Sequence, residues 1–138
     1  FGGWNDAADA ATGVVEHLEE AWGATPLASL DPEDYYDFQV NRPVITVGDG
    51  TLRSVEWPTT HLSLARVDGL GRDVLLVRGL EPSMRWRSYC DELVGWATSL
   101  GVQRVVTLGA MLADTPHTRP VPVRTVAADA ATAARVGV

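Results

Sequence analysis

Lysine is absent: all eleven basic residues are arginines. That excludes Schiff-base lysine chemistry and a Walker-type phosphate lysine. There is a single cysteine, Cys90, so neither an internal disulfide nor a cysteine-rich zinc site can form. Positive charge is scarce as well. Eighteen acidic residues leave a formal charge of -7, the wrong sign for a nucleic-acid backbone or an anionic membrane surface. No apolar run is long enough to span a bilayer, and no stretch reads as a signal peptide, so the expected location is the cytoplasm. Neither G-x-S-x-G nor H-E-x-x-H occurs. What remains is one globular domain, residues 1–138, with 46% hydrophobic and 21% charged residues.

The chain opens on Phe1-Gly2-Gly3-Trp4-Asn5-Asp6, which reads as the end of a strand turning into a helix, as in a domain trimmed at both ends. Asn5 or Asp6 can cap that helix. Ala10/Ala11, Val14/Val15, Leu18 and Ala21/Trp22 recur at helical spacing, with Glu16, Glu19 and Glu20 on the solvated face and Gly23 as the stop. Thr25–Leu30 reads as a strand, Asp31-Pro32-Glu33-Asp34 as a turn or short helix, and Tyr35–Val40 as a strand or extended segment. Val44–Val47 is an edge strand after Pro43. Gly48-Asp49-Gly50 is a turn, and Arg53–Trp57 and His61–Val67 are two further strands. Gly69-x-Gly71 lacks the third glycine of a dinucleotide fingerprint and precedes a strand rather than following one.

Val74–Val77, a helix over Ser83–Leu100, and Val105–Leu108 form a strand–helix–strand pattern, which predicts a right-handed parallel unit. The core face of that helix is Trp86, Tyr89/Cys90, Leu93, Trp96/Ala97 and Leu100. Pro122–Ala127 is a further strand, and Asp129 caps a last, alanine-rich helix.

Candidate chemistry gathers in three places. Arg85 and Arg87 stand in the first turn of a helix, where the dipole disfavours cations. They either hold an anion or partner carboxylate there, or pair internally with Glu81 or Asp114. Asp114, His117, Thr118 and Arg119 make an unusually polar loop after the Val105–Leu108 strand. If all strands run the same way, this loop, Glu81, Arg85, Asn5 and Asp6 emerge at one carboxyl edge. Tyr35, Tyr36 and Phe38, beside Asp34 and Asp37, can supply an aromatic contact patch.

Gly3-Trp4-Asn5-Asp6-Ala7-Ala8, Asp34-Tyr35-Tyr36-Asp37-Phe38, Arg42-Pro43, Gly79-Leu80-Glu81-Pro82 and Gly109-Ala110 followed by Asp114, Pro116, His117-Thr118-Arg119-Pro120 together resemble the PAC2 family, the family of proteasome assembly chaperone 2, in its actinobacterial form. These motifs run in the family's order along nearly the whole chain. The resemblance implies a three-layer α/β/α sandwich with a mostly parallel sheet, similar to purine nucleoside phosphorylases. Eukaryotic and archaeal members are non-enzymatic chaperones of proteasome α-subunits, and bacterial members form homo-oligomers, in trimers. The expectation is therefore a self-associating, protein-binding domain with itself and a protein client as partners, and with no cofactor or metal. The alternative is an anion-binding enzyme, a ligase, phosphorylase-like or hydrolase activity built on Glu81, Arg85, Asp114, His117 and Arg119. The chain departs from the family in being shorter at both ends, and the C-terminal motif with which eukaryotic members dock on proteasome subunits is not visible.

Overall fold

Local signals set most element boundaries. The computed structural model describes residues 6–69 and 71–137. Helix α1 spans Ala10–Ala21 and ends at Gly23, whose φ of 58° suits glycine. The Gly23 N–H donates to the Glu20 carbonyl and the Ala24 N–H to that of Glu19, a Schellman closure. Strand β1 follows at Thr25–Ser29. Helix α2, Pro32–Tyr35, starts where the Asp31 carboxylate accepts the Glu33 N–H at 3.0 Å and proline occupies the first turn. Strands β2 (Val44–Gly48) and β3 (Thr51–Glu56) form a separate antiparallel hairpin around Asp49-Gly50, both at positive φ. Strands β4 (Thr60–Val67) and β5 (Arg72–Gly79) pair in unbroken antiparallel register, Thr60 opposite Gly79 through Val67 opposite Arg72. Helix α3 covers Trp86–Ser99 and closes at Gly101. Helix α4, Ala130–Val136, is capped as expected by Asp129, which accepts the Thr132 N–H at 2.8 Å.

The main sheet has the order β1-β4-β5 and is antiparallel throughout. Successive residues of β4 face opposite sides. Thr60 and Leu62 look into a core with Leu30, Tyr36 and Tyr89, where Leu75, Val77, Leu93 and Trp96 also pack. Ser63 looks the other way, where its hydroxyl donates to Glu19 of α1 at 2.6 Å. Arg78 on β5 donates to the same carboxylate at 3.0 Å and also pairs with Glu16. Glu19 is therefore no solvated-face residue: it ties α1 to the sheet.

The expected parallel unit does not form among the described residues. Residues 105–108 belong to no described strand, and Val105 and Val106 are each 72% exposed. Residues 122–127 are likewise not a strand. A β-branched apolar run becomes a strand only when another strand takes up its backbone groups, and no described segment does so here. The single parallel pairing described is a bridge between Asp6 and Ala110. The mostly parallel sheet is thus replaced, over these residues, by a mixed α/β arrangement with antiparallel sheets.

Two further expectations change. Residues 36–41 are no strand: after α2, the carbonyl of Asp37 accepts the N–H groups of Val40 and Asn41, a turn that the Asp37 side chain reinforces at Gln39. The buried stripe of α3 is Tyr89, Leu93 and Trp96, whereas Trp86, Cys90 and Leu100 are exposed. The buried stripe is narrower than the expected one, because only the middle of the helix packs on the core and its two ends stand clear of it.

Candidate functional site

Asp6 is the most constrained of the candidate site residues. It is buried, and its carboxylate accepts the N–H of Ala11 at 2.6 Å, the N–H of Thr12 at 2.8 Å and the Thr12 hydroxyl at 2.6 Å. It thus caps α1 from a distance, over a turn in which Ala8 and Asp9 both take positive φ. Burial pulls its pKa up, but the Thr12 hydroxyl and the N–H groups of Ala11 and Thr12 outweigh it, leaving the carboxyl below its ordinary 3.8. A depressed folded pKa contributes stability that is present above about 4 and lost as pH falls through the folded value. Asp6→Asn is expected to cost about 1–2 kcal/mol at pH 7, the scale of a lost cap. It should also flatten the acid limb of the stability curve, which thermal melts between pH 2 and 7 would register. Asn5 lies outside the described residues.

Arg85 has a partner other than the two expected. It is the N-cap of α3, at φ 54°, and its guanidinium pairs with the Asp34 carboxylate. It also lies 5.8 Å from the Tyr35 ring centroid. Neither Glu81 nor Asp114 takes that role among the described residues. The carboxylate of Asp34 answers the cation that the helix dipole disfavours. With both side chains about half exposed, such a pair is worth about 1 kcal/mol or less.

Asp114, His117, Thr118 and Arg119 are exposed. Their loop is held by its own backbone, the Thr115 N–H donating to Ala113 and the Arg119 N–H to Pro116. Its base lies beside the start of α1, because the Ala7 N–H donates to the Ala110 carbonyl at 2.9 Å. Glu81 is half-buried just before α3. The described contacts join Arg85 to Asp34, and Asp6 to Ala110 through an isolated bridge; none links Arg85 to His117.

Tyr35 and Tyr36 are core residues, each 3% exposed, and not a contact patch. The α2 turn swings both inward. The Tyr36 hydroxyl donates to the Leu80 carbonyl at 2.9 Å and meets the Thr60 hydroxyl at 2.9 Å, which meets Tyr89 at 2.8 Å. Burial pushes the Tyr36 and Tyr89 phenols up. Tyr35 packs edge-on against Tyr89 and donates to Glu92. Phe38 is partly buried against the same core and packs edge-on against Trp57, ring centroids 4.9 Å apart.

A shallow cleft of about 210 Å³ opens between the start of α1 and the β4–β5 edge, lined among others by Asp9, Thr12, Trp57, His61 and Arg78. Sequence spacing offers no reason to set His61 beside Arg78; the β4–β5 register, which places them opposite each other, does so. Among the described residues no group of three metal-ligating side chains occurs.

The PAC2 family model matches residues 1–137. The chain belongs to the PAC2 family. A solved PAC2 family protein from Streptomyces avermitilis is 56% identical, with a TM-score of 0.91 over 99% of this chain and 58% of its own. A proteasome-assembly chaperone homologue from Mycobacterium tuberculosis is 54% identical, also at 0.91, over 100% of this chain and 58% of its own. A protein of unknown function from Corynebacterium glutamicum shares the fold at a TM-score of 0.77 and 23% identity. The chain thus spans under three-fifths of the first two PAC2 relatives' length. No curated protein matches it. Among the described residues of this PAC2 chain, no helix is long and apolar enough to cross a membrane.

Proposed function

We propose that this chain is part of a non-enzymatic, self-associating PAC2 protein that assists the assembly of other proteins, with proteasome α-subunits as the client class. The observation that carries the reading is the 54% identity, over the whole chain, to the mycobacterial proteasome-assembly chaperone homologue. The chemistry is consistent with it. Arg85, the cation on which an anion-binding enzyme would centre, is already engaged by Asp34 and Tyr35, and no described contact joins it to His117. The exposed Arg85, Asp114, His117, Thr118 and Arg119, with the half-buried Glu81 and with Asn5, are proposed as a client-facing surface, and the buried Asp6 as the residue that holds the start of α1 beneath it. The Asp6–Ala110 bridge supports that grouping, since it sets two of its segments side by side. The same bridge, being parallel, supports parallel order in the complete PAC2 domain, for which a three-layer sandwich is proposed. A cytoplasmic homotrimer is the proposed form.

The test uses the full-length protein with purified proteasome α- and β-subunits. Native mass spectrometry should find it bound to α-subunits or their assembly intermediates, and it should speed formation of the mature particle. Absence of both a complex and a rate effect would overturn the reading.

A further inference from the structure

The cleft between the start of α1 and the β4–β5 edge holds charge and aromatic surface that the fold itself does not use. Asp9 stands at the N-cap position of α1, yet its side chain caps nothing, because Asp6 already accepts the Ala11 and Thr12 N–H groups. Among the described residues, no hydrogen bond or ion pair engages the Asp9 carboxylate. It is exposed, and it follows Ala8 in a left-handed turn, φ 56° and then 53°, a conformation that side chains disfavour. Trp57 lines the same cleft. Phe38 braces its ring edge-on, centroids 4.9 Å apart, and half of the residue stays exposed. The His61 imidazole, also on the cleft wall, has no hydrogen-bond partner among the described residues.

We propose that this cleft receives an arginine side chain from a protein partner. Charge selects a cation. Arg78 on the cleft wall is held by Glu16 at 3.4 Å and by Glu19 at 3.0 Å, and two carboxylates against one guanidinium leave negative charge there. Asp9 adds a carboxylate that nothing compensates. Asp6 answers the positive end of the α1 dipole, so the charge of Asp9 is surplus to the helix. The whole chain, at a formal charge of -7, draws a basic segment in the same sense. An anionic ligand would meet the same carboxylates and be repelled.

Shape and size select the guanidinium and its source. A planar guanidinium stacks on an indole and takes a carboxylate through paired N–H groups, so Trp57 and Asp9 offer both halves of its recognition. The cleft, about 210 Å³, is smaller than the roughly 300–1,000 Å³ of cofactor and drug-sized sites. That space suits one side chain entering from a segment that stays on the surface. The inference does not depend on the assembly reading above.

The experiment titrates the full-length protein, nitrogen-15-labelled at its tryptophan indoles, with the tripeptide N-acetyl-glycyl-arginyl-glycinamide. The Trp57 indole signal, assigned through Trp57→Phe, should shift and saturate at millimolar peptide, the range expected for a single side chain. Replacing the arginine by citrulline, which keeps the plane but not the charge, should abolish the shift. Asp9→Asn should weaken binding about five-fold, the scale of an exposed ion pair, and leave the melting temperature unchanged, because the Asp9 side chain holds no bond in the fold. A signal that does not move in the full-length protein means that the cleft takes no cation or that another part of the molecule fills it, and either overturns the inference. Equal shifts with the citrulline peptide, stronger binding of the glutamyl counterpart, or an affinity unchanged in Asp9→Asn overturn the charge assignment. Tighter binding of free arginine than of the peptide makes the cleft a metabolite site and overturns the assignment to a protein partner.

Discussion

Gly79→Ala is expected to lower stability by about 3 kcal/mol or more, although it adds a single methyl group. A Cβ at Gly79 would stand 2.6 Å from the Thr60 Cα, 2.5 Å from its Oγ1 and 2.9 Å from the Thr59 carbonyl oxygen. Two of those three atoms are backbone, at and just before the first residue of the central strand of the main sheet, and cannot rotate away. Gly79 is not here for a left-handed conformation; it is here because β4 and β5 approach too closely for any side chain. Relief would require Thr60 to shift, and its hydroxyl is the shared partner of Tyr36 and Tyr89. Overpacking of this kind costs about 1–3 kcal/mol, and each buried hydrogen bond lost adds about 1 kcal/mol. For a chain of this size that corresponds to a fall of about 10 °C in melting temperature. A melt followed by circular dichroism tests it, and a variant melting within a degree or two of the wild type would mean that the strands separate at little cost.

Local chemistry was legible and distant partnership was not. Gly23, Asp31-Pro32, Asp49-Gly50 and Asp129 act on backbone groups within a few residues of themselves, and each terminates or caps the element expected of it. The failures share one cause. Val105–Leu108 has the composition of a strand, but composition does not supply the second strand. Glu19 looks solvated until β4 and β5 bring Ser63 and Arg78 to it. Arg85 finds Asp34, 51 residues away, while its nearest acidic neighbour Glu81 stays out of the pair. Tyr35 and Tyr36 stand among acidic residues, as surface aromatics do, yet the α2 turn buries both rings. The motifs Asp34-Tyr35-Tyr36-Asp37-Phe38 and Gly79-Leu80-Glu81-Pro82, which carried the family resemblance, meet in space: Tyr36 donates to the Leu80 carbonyl, and the Tyr35 carbonyl accepts the Ser83 N–H at 2.8 Å. These two motifs therefore carry the resemblance through residues that build or brace the core. Composition marks Val44–Val47 as an edge strand and Arg53–Trp57 as a further strand, but nothing in a sequence says that the two will pair as a hairpin separate from the main sheet.

The second large effect is alkaline. Tyr35 donates to the Glu92 carboxylate at 2.5 Å, a bond that only the protonated phenol can make. That bond, then burial and the charges of Glu92 and Asp34, push its pKa from 10.0 up to about 12, against the smaller opposing influence of Arg85. The folded state holds this proton more tightly than the unfolded chain does. Its contribution to stability is therefore complete below pH 10 and is lost as pH rises through about 12. Two pH units of difference amount to roughly 3 kcal/mol. Tyr36 and Tyr89, also shifted upward by burial, act in the same direction. The melting temperature should hold steady from neutral pH to about 10 and then fall steeply, with phenolate absorbance appearing together with unfolding rather than before it. Tyr35→Phe should cost about 1–2 kcal/mol at pH 7, through the lost hydrogen bond to a charged acceptor, and should make the fall above pH 10 shallower. If all three tyrosines titrate near pH 10 while the protein stays folded, the phenols are open to water and the buried tyrosine core is wrong.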